Sequence, residues 1–212
     1  MKQAFYFLNQ YCENHSSPQS DLLYALDRET HLKTLAPQMS SGHLQGRFLS
    51  FLSKLIQPET ILEIGTFTGY AAICMAEGLQ ENGVLHTIEV NRELEYLIRK
   101  YLKEGNFEDK IKLHIGDAKT IIPTLPIKVF DLVFIDAGKK DNDYYFEMVL
   151  PMVKKGGLIL IDNVLWDGKV TNNLNDSITK QISGFNQKVS TDQRVESLML
   201  PIRDGMLLLR KR

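Results

Sequence analysis

The chain of 212 residues has the length of one domain, and its 43% hydrophobic and 24% charged residues exclude disordered, collagen-like and disulfide-scaffold proteins. A formal net charge of −1 argues against a protein that binds nucleic acid or an anionic membrane, because such proteins normally carry a basic excess. Cys12 and Cys74 are too few for a disulfide framework and are expected to be free thiols. The sequence shows neither a signal-peptide pattern nor a long apolar window, so we expect a cytoplasmic protein.

The first 57 residues are predicted to be helical, because apolar residues recur there at helical spacing. Ser20 and Asp21 are typical of the start of a second helix, and the run 40–42 of two serines and a glycine is typical of the start of a third. Pro58 ends this section. We therefore divide a single domain, 1–212, into an N-terminal helical cap, 1–57, and an α/β core, 58–212.

From residue 60 onward, short apolar runs alternate with longer amphipathic stretches, which is typical of a parallel sheet covered by helices. The predicted strands are 61–64, 84–89, 111–115, 130–135 and 158–161. The predicted helices between them are 70–79, 92–103, 118–124 and 143–153. A further helix, 176–188, precedes two strands, 194–200 and 205–211, whose short connection permits an antiparallel hairpin. The pattern predicts an α/β fold with a doubly wound sheet.

An acid stands at or next to the end of each predicted parallel strand. These acids are Glu63, Glu89, Asp117, Asp136 and Asp162. Ligands of open α/β sheets bind beyond the carboxyl ends of the strands, so we expect all five acids to line one crevice. For each acid taken singly, the alternative is that it only caps the following helix.

The turn after the first strand, 63–70, contains Gly65 and Gly69 but matches neither the dinucleotide fingerprint nor the phosphate-binding loop. Glu89, at the end of the next strand, is suited to accept hydrogen bonds from both hydroxyls of a ribose. The turn has no lysine or arginine for a pyrophosphate. An acidic crevice favours a nucleoside with a positive centre instead, and S-adenosylmethionine is such a cofactor.

The fourth and fifth strand ends carry groups typical of a metal site. Asp136 lies three residues before Lys139, and Asp162 is followed directly by Asn163. Two carboxylates and an amide oxygen are a hard-oxygen set that suits Mg²⁺, whereas the five histidines show no spacing typical of zinc ligands. The alternatives are a simple turn at 162–163 and a solvated charge at Lys139.

In 62–70, in 134–137 with Lys139, and in 162–166 with Gly168, the chain resembles the cation-dependent, S-adenosylmethionine-dependent O-methyltransferases, the group that contains catechol and caffeoyl-CoA O-methyltransferases. Further segments resemble that family too: Asp192 with Arg194, 200–202 with 204–205, and Met39 with 45–46. The resemblance implies a class I methyltransferase-like, mostly parallel sheet of seven strands with a C-terminal antiparallel hairpin and extra N-terminal helices. It also implies a homodimer and a divalent cation, Mg²⁺ in first place, with Mn²⁺ or Ca²⁺ as alternatives.

The resemblance implies a role for individual residues. It implies metal ligands at Asp136, Asp162 and Asn163 and a catalytic base at Lys139, with Lys139, Asn163 and Trp166 as acceptor contacts. The implied cofactor contacts are Met39, Ser41, Glu63, Gly65, Thr66, Tyr70, Glu89, Val90, Asp117, Ala118 and Asp136.

The chain departs from the family pattern at a few positions. Gly138 replaces the acid of the usual Asp-Ala-Asp-Lys form, 141–145 lacks the usual Asn-Tyr pair in register, and Ala71 replaces a serine of some members. The first two departures bear on the choice of acceptor. The N-terminal helices and the loop 163–173 are also expected to shape that choice.

The sequence thus predicts methyl transfer from S-adenosylmethionine to a hydroxyl of a small aromatic acceptor of catechol or caffeoyl type, assisted by a divalent cation. Two alternatives remain open, an NAD-dependent oxidoreductase and a non-catalytic S-adenosylmethionine-binding relative. Methylation of protein or RNA is a third, and the near-neutral charge weighs against RNA. We expect no nucleic-acid or membrane partner.

Overall fold

Three helices precede the sheet in the computed structural model, which describes residues 2–172 and 176–212, with side chains from residue 7 onward. They are α1 (Lys2–Asn14), α2 (Asp21–Lys33) and α3 (Gly42–Ile56). The hydroxyl of Ser20 accepts a hydrogen bond of 3.3 Å from the backbone N–H of Leu23 and so caps α2. The predicted loop 163–173 ends outside the described residues.

The described part of the chain forms one sheet of seven strands, in the order β3-β2-β1-β4-β5-β7-β6. The strands are β1 (Thr60–Ile64), β2 (Val84–Glu89), β3 (Ile111–Ile115), β4 (Phe130–Ile135), β5 (Val153–Asp162), β6 (Val195–Leu200) and β7 (Met206–Lys211). The first five strands are parallel, and β7 is antiparallel to both β5 and β6. The predicted fold class is confirmed.

The remaining helices are α4 (Tyr70–Ala76), α5 (Glu95–Glu104), α6 (Ala118–Ile121), α7 (Asn142–Val149), α8 (Lys169–Asn172) and α9 (Ser177–Ser190). The predicted helices 118–124 and 143–153 are too long, because their last turns are 3₁₀ turns, Ile122–Thr124 and Leu150–Met152. A proline stands inside each of these turns, and proline has no N–H to continue an α-helix.

Strand β5 begins at Val153, five residues before the predicted start. The pair Gly156–Gly157 is typical of a turn, but here Gly156 has φ +79° and the pairing with β4 shifts register between Phe130 and Leu132. A bulge of this kind lets a strand continue past glycines. The prediction for this strand start was therefore wrong.

Helices cover both faces of the sheet. Neighbouring residues of β1 point to opposite faces, so Ile61 belongs to one buried cluster and Leu62 to the other. The first cluster includes Leu23 of α2 and Leu49 of α3, so these N-terminal helices pack on the sheet. The second includes Phe185 of α9. The cap-and-core division of the domain stays a prediction. Within residues 2–172 and 176–212, none of the helices has the length and apolar character needed to cross a membrane.

Candidate active site

A cavity of about 1040 Å³ lies at the carboxyl ends of the parallel strands, between the loops that follow them and the segment before α3. Ligand pockets are typically about 300–1,000 Å³, so this cavity has room for a cofactor together with a small acceptor. The predicted site residues that line it are Met39, Ser41, Gly65, Thr66, Tyr70, Glu89, Val90, Asp117, Ala118, Asp136, Lys139, Asp162, Asn163 and Trp166.

Glu63 is the predicted site residue that does not line the cavity. It lies inside β1, in register with Thr87 of β2 and Phe134 of β4, and is 0% exposed. The Thr87 hydroxyl donates to its Oε2 and also hydrogen-bonds the Thr66 hydroxyl, while Oε1 is buried without a partner in the described residues. Burial raises the pKa of Glu63 well above its usual value. The expectation that five acids line one crevice is therefore wrong for Glu63 and correct for the other four.

The glycine turn after β1 is tied to the end of β2 by one carboxylate. Gly65, Phe67 and Gly69 all have positive φ values, of 96°, 51° and 95°. The Glu89 carboxylate accepts from the backbone N–H of Phe67 at 2.7 Å and from that of Asn91 at 2.8 Å. Each of its oxygens keeps further acceptor capacity, so Glu89 is held at the cavity wall and can still bind hydroxyl groups.

Other groups on the wall suit a cationic nucleoside. Asp117 accepts from the backbone N–H of Lys119 at 2.9 Å; it caps α6 and also lines the cavity. Ser40 lines the cavity too, and its buried hydroxyl has no partner among the described residues. The acids and the unpartnered hydroxyl fit S-adenosylmethionine, which carries a positive sulfonium and no phosphate.

The ends of β4 and β5 bring two carboxylates and one ammonium group together. The Asp136 Oδ1 lies 2.7 Å from the Lys139 Nζ. Asp162 accepts from Gln45 Nε2 at 2.9 Å and from the Asn163 backbone N–H at 2.8 Å. Burial first, and then the charge of Asp136, raise the pKa of Asp162 to about 6. The Asp162 carboxylate, whose charge is disfavoured beside Asp136, is suited to share a cation with it.

Asn163 has the third oxygen of this cluster. Its backbone has φ +61°, a region in which asparagine is tolerated better than most residues. Its side chain lies close to the Asp204 carboxylate, and an amide that faces a carboxylate turns its NH₂ group toward it, which leaves the amide oxygen for another partner. Within the described ranges, no three or more His, Cys, Asp and Glu side chains form a metal-binding group. The amide oxygen would therefore complete the set, and two carboxylates with one amide oxygen fit a hard cation.

Trp166 lies in a tight turn beside this cluster. Trp166, Asp167 and Gly168 have φ values of 49°, 53° and 75°, and Lys169 Nζ lies 5.6 Å from the centre of the Trp166 ring. The indole lines the cavity. It is therefore available to a flat acceptor.

All three sequence departures lie at the cavity wall, because Ala71, Gly138 and, within 141–145, Asp141 and Tyr145 line it. A Cβ built on Gly138 would meet Asp141 Oδ2 at 3.6 Å, which leaves room for a side chain but places an acid there beside a second carboxylate. Asp141 is engaged by Lys119 Nζ at 2.9 Å, and that amine lies 4.9 Å from the Tyr144 ring centre. Tyr145 is buried and also lines the cavity.

Residues outside the predicted set contribute to the site. Gln45 donates to Asp162, Asp204 lies close to the Asn163 side chain, and Arg203 lines the cavity. None of them follows a parallel strand, so the strand-end pattern could not find them. Gln45 and Asp204 do belong to segments that carry the family resemblance, whereas Arg203 has no such sequence signal.

Comparison with known proteins agrees with this geometry. The sequence model of the O-methyltransferase family matches residues 13–212. The chain is 34% identical to a caffeoyl-CoA O-methyltransferase from Populus kitakamiensis over 178 residues, 79% of this chain and 76% of that protein. It is similar to the crystal structure of an O-methyltransferase from Bacillus cereus in complex with SAH, with a TM-score of 0.90 and 28% identity over 100% of both chains. The SAM complex of the O-methyltransferase TomG from Streptomyces achromogenes, involved in tomaymycin synthesis, has a TM-score of 0.88 and 29% identity, covering 100% of this chain and 99% of that one.

Proposed function

Because the chain belongs to the S-adenosylmethionine-dependent O-methyltransferase family, we propose that it methylates one hydroxyl of a vicinal aromatic diphenol, of catechol or caffeoyl type, with the help of a divalent cation. The observation that carries this proposal is the common cavity wall of Asp136, Asp162, Asn163 and Lys139. The family assignment does not support the alternative of an NAD-dependent oxidoreductase.

The cofactor would lie along the glycine turn. Glu89 would accept from the ribose hydroxyls, and the Asp117–Ala118 backbone and side chain would flank the base, since all of these line the cavity beyond the strand ends. Met39 is 58% exposed although it lines the cavity, which suits a residue that covers a bound ligand. Asp136 would stand between this part of the cavity and the acceptor.

The acceptor end would rest on the oxygen cluster. Mg²⁺, or Mn²⁺ or Ca²⁺ in its place, held by Asp136, Asp162 and Asn163 would supply a Lewis acid that makes a bound hydroxyl easier to deprotonate. Lys139 would take the hydroxyl proton on Nζ, once its present ion pair with Asp136 gives way and its ammonium group has released a proton to solvent. Trp166 would pack on the aromatic ring of the acceptor.

The transfer itself is an in-line displacement. The deprotonated acceptor oxygen forms a bond to the methyl carbon with its own electron pair, the bond from that carbon to sulfur breaks, and the electrons of this bond return to sulfur. The chain would contribute position and a shaped cavity, since a well-oriented nucleophile gains most of its advantage from geometry.

A panel of acceptors tests this function. Catechols, flavonoids and caffeoyl esters are incubated with S-adenosylmethionine in Mg²⁺ or in EDTA, and methylated product is measured for the wild type, Lys139→Met and Lys140→Met. Lys140 is the matched control, because it is the exposed neighbour of Lys139. We expect Mg²⁺-dependent product from vicinal diphenols, lost in Lys139→Met and kept in Lys140→Met.

Other outcomes decide between the alternatives. Full rates in EDTA would overturn the role of the cation. Cofactor binding without any product over the whole panel would favour a non-catalytic relative. The expected homodimer, cytoplasmic location and lack of nucleic-acid and membrane partners stay predictions; light scattering after size-exclusion chromatography would test the first.

A further inference from the structure

Arg203 connects the turn between β6 and β7 to the segment before α3. Its Nη1 donates to the carbonyl oxygen of Ser40 at 2.6 Å, and its Nη2 donates to that of Gln38 at 2.8 Å. The Arg203 backbone has φ +49°, an unfavourable conformation for a residue with a long side chain. Such a conformation persists where surrounding contacts hold it, and the two carbonyl oxygens supply contacts of that kind.

The same guanidinium also faces Gln45. Nη1 of Arg203 lies 3.4 Å from Gln45 Oε1, and Gln45 Nε2 donates to Asp162 Oδ2 at 2.9 Å. An arginine can only donate and a carboxylate can only accept. The amide of Gln45 therefore has to turn its oxygen toward Arg203 and its NH₂ group toward Asp162. Gln45 is 0% exposed, and water does not compete for either side of this amide.

The turn is anchored on its other side to the chain that follows Asp162. The backbone N–H groups of Val164 and Leu165 donate to the carbonyl oxygens of Gly205 and Asp204, at 3.2 Å and 2.8 Å. The Asp204 carboxylate also lies close to the Asn163 side chain. The turn therefore contacts the neighbourhood of both Asp162 and Asn163, and through Arg203 it contacts the segment that closes the cavity.

The closing segment, 38–41, separates two spaces. Gln38, Ser40, Ser41 and Arg203 line both the main cavity and a second cavity of about 770 Å³ next to α1 and α2. Removal of Arg203 would leave the carbonyl oxygens of Gln38 and Ser40 without the donors that hold them.

We propose that Arg203 is a positioning residue, which keeps the closing segment over the cavity and, through Gln45, fixes the carboxylate of Asp162. The second part rests on the proposed function, in which Asp162 is a cation ligand. Residues that hydrogen-bond a metal ligand and orient it typically change the metal affinity by about 10–100-fold when they are removed.

The variants Arg203→Met, Gln45→Leu and their combination test this proposal, with Arg210→Met as the matched control because Arg210 is exposed and lies 3.7 Å from Glu196 on the same hairpin. Arg203→Lys keeps the positive charge, and it replaces Arg203→Met in these measurements if the methionine variant does not fold. Three quantities are measured: hydrogen exchange of the amides of 38–41, the Kd for Mn²⁺ and the Kd for SAH. The kcat and the acceptor KM are measured separately.

We expect Arg203→Met to speed exchange in 38–41 at least about tenfold and to weaken Mn²⁺ binding by about tenfold, with Arg203→Lys between it and the wild type. Gln45→Leu weakens Mn²⁺ binding to a similar extent without faster exchange in 38–41. The double variant binds Mn²⁺ no more weakly than the weaker single variant, because both act on one connection. Arg203→Met and Gln45→Leu each lower kcat more than they raise the KM for the acceptor.

Exchange in 38–41 that is the same in Arg203→Met or Arg203→Lys as in Arg210→Met would overturn the first part. If the losses of Mn²⁺ binding free energy in Arg203→Met and Gln45→Leu add up in the double variant, the connection through Gln45 is overturned. A wild type that does not bind Mn²⁺ would instead refute the cation in the proposed function and, with it, the second part; the exchange measurement needs no cation and still decides the first part.

Discussion

Gly65 lies so close to the end of β4 that a Cβ built on it would come within 2.2 Å of the Asp136 carbonyl oxygen. The backbone N–H of Asp136 donates to the carbonyl of Ile64, the residue before Gly65, at 2.9 Å. The glycine turn and the acid that would serve both cofactor and cation are therefore packed directly against each other. Any movement of one must displace the other.

We expect Gly65→Ala to destabilise the protein by at least about 1–3 kcal/mol, because the side chain would clash with backbone and Gly65 also has φ +96°. Gly138→Ala is the matched control. Gly138 has φ −57°, and a Cβ there meets only an ordinary contact at 3.6 Å, so alanine should be neutral or stabilise by about 0.4–1 kcal/mol. Urea unfolding of both variants measures the difference, and equal stabilities would refute the steric argument.

Asp162→Asn should impair the cation site and leave cofactor binding intact. The substitution keeps the shape of the side chain but removes a charge from the oxygen cluster, so we expect Mg²⁺-dependent turnover to fall at least about 100-fold, or ~2.7 kcal/mol in the barrier. The Kd for SAH should stay within about threefold of the wild type. Asp109→Ala, at an exposed position, is the control for turnover. Unchanged turnover in Asp162→Asn would remove this residue from the reaction.

Glu89→Ala should weaken cofactor binding and leave the cation site intact. It removes the acceptor of the Phe67 and Asn91 amides and the proposed acceptor of the ribose hydroxyls, so the Kd for SAH should rise at least about tenfold, or ~1.4 kcal/mol. Mn²⁺ binding should not change. Calorimetric titration of both ligands checks this, with the exposed Glu81→Ala as control. Weaker Mn²⁺ binding in Glu89→Ala would show that the two sites are not separable.

Local sequence patterns predict most of the strands of the sheet, but they do not predict the long-range contacts that support the site residues. The bounds of β2, β3 and β4 are as predicted, because each strand is a short run rich in Val, Ile, Leu or Phe that is bounded by turn residues. The position of Glu63 is not predictable in this way, since one residue decides whether a side chain lies within a strand or beyond it. Arg203 and Gln45 are 158 residues apart, and no periodicity relates residues that only the folded sheet brings together.

The histidine pair on β2 and β3 predicts how stability depends on pH. His86 Nδ1 lies 2.9 Å from His114 Nε2, and this contact needs one donor and one acceptor, so it is lost when both rings are protonated. Burial, then His114 and Lys112, lower the pKa of His86 to about 4, and burial lowers the pKa of His114 as well.

At these two histidines the unfolded chain, with histidine pKa values of about 6.5, therefore binds more protons than the folded protein between about pH 6.5 and 4. The contribution of the pair to stability should fall as the pH falls through this window, by at most about 1.4 kcal/mol per pH unit for each histidine, while Asp162 and Glu63, whose pKa values are raised, contribute in the opposite direction. Urea unfolding at pH 7.5, 6.5 and 5.5 measures this slope. His86→Phe should reduce it, whereas His31→Gln, at an exposed position, should keep it. A slope in His86→Phe equal to that of the wild type would mean that the pair does not disfavour protonation.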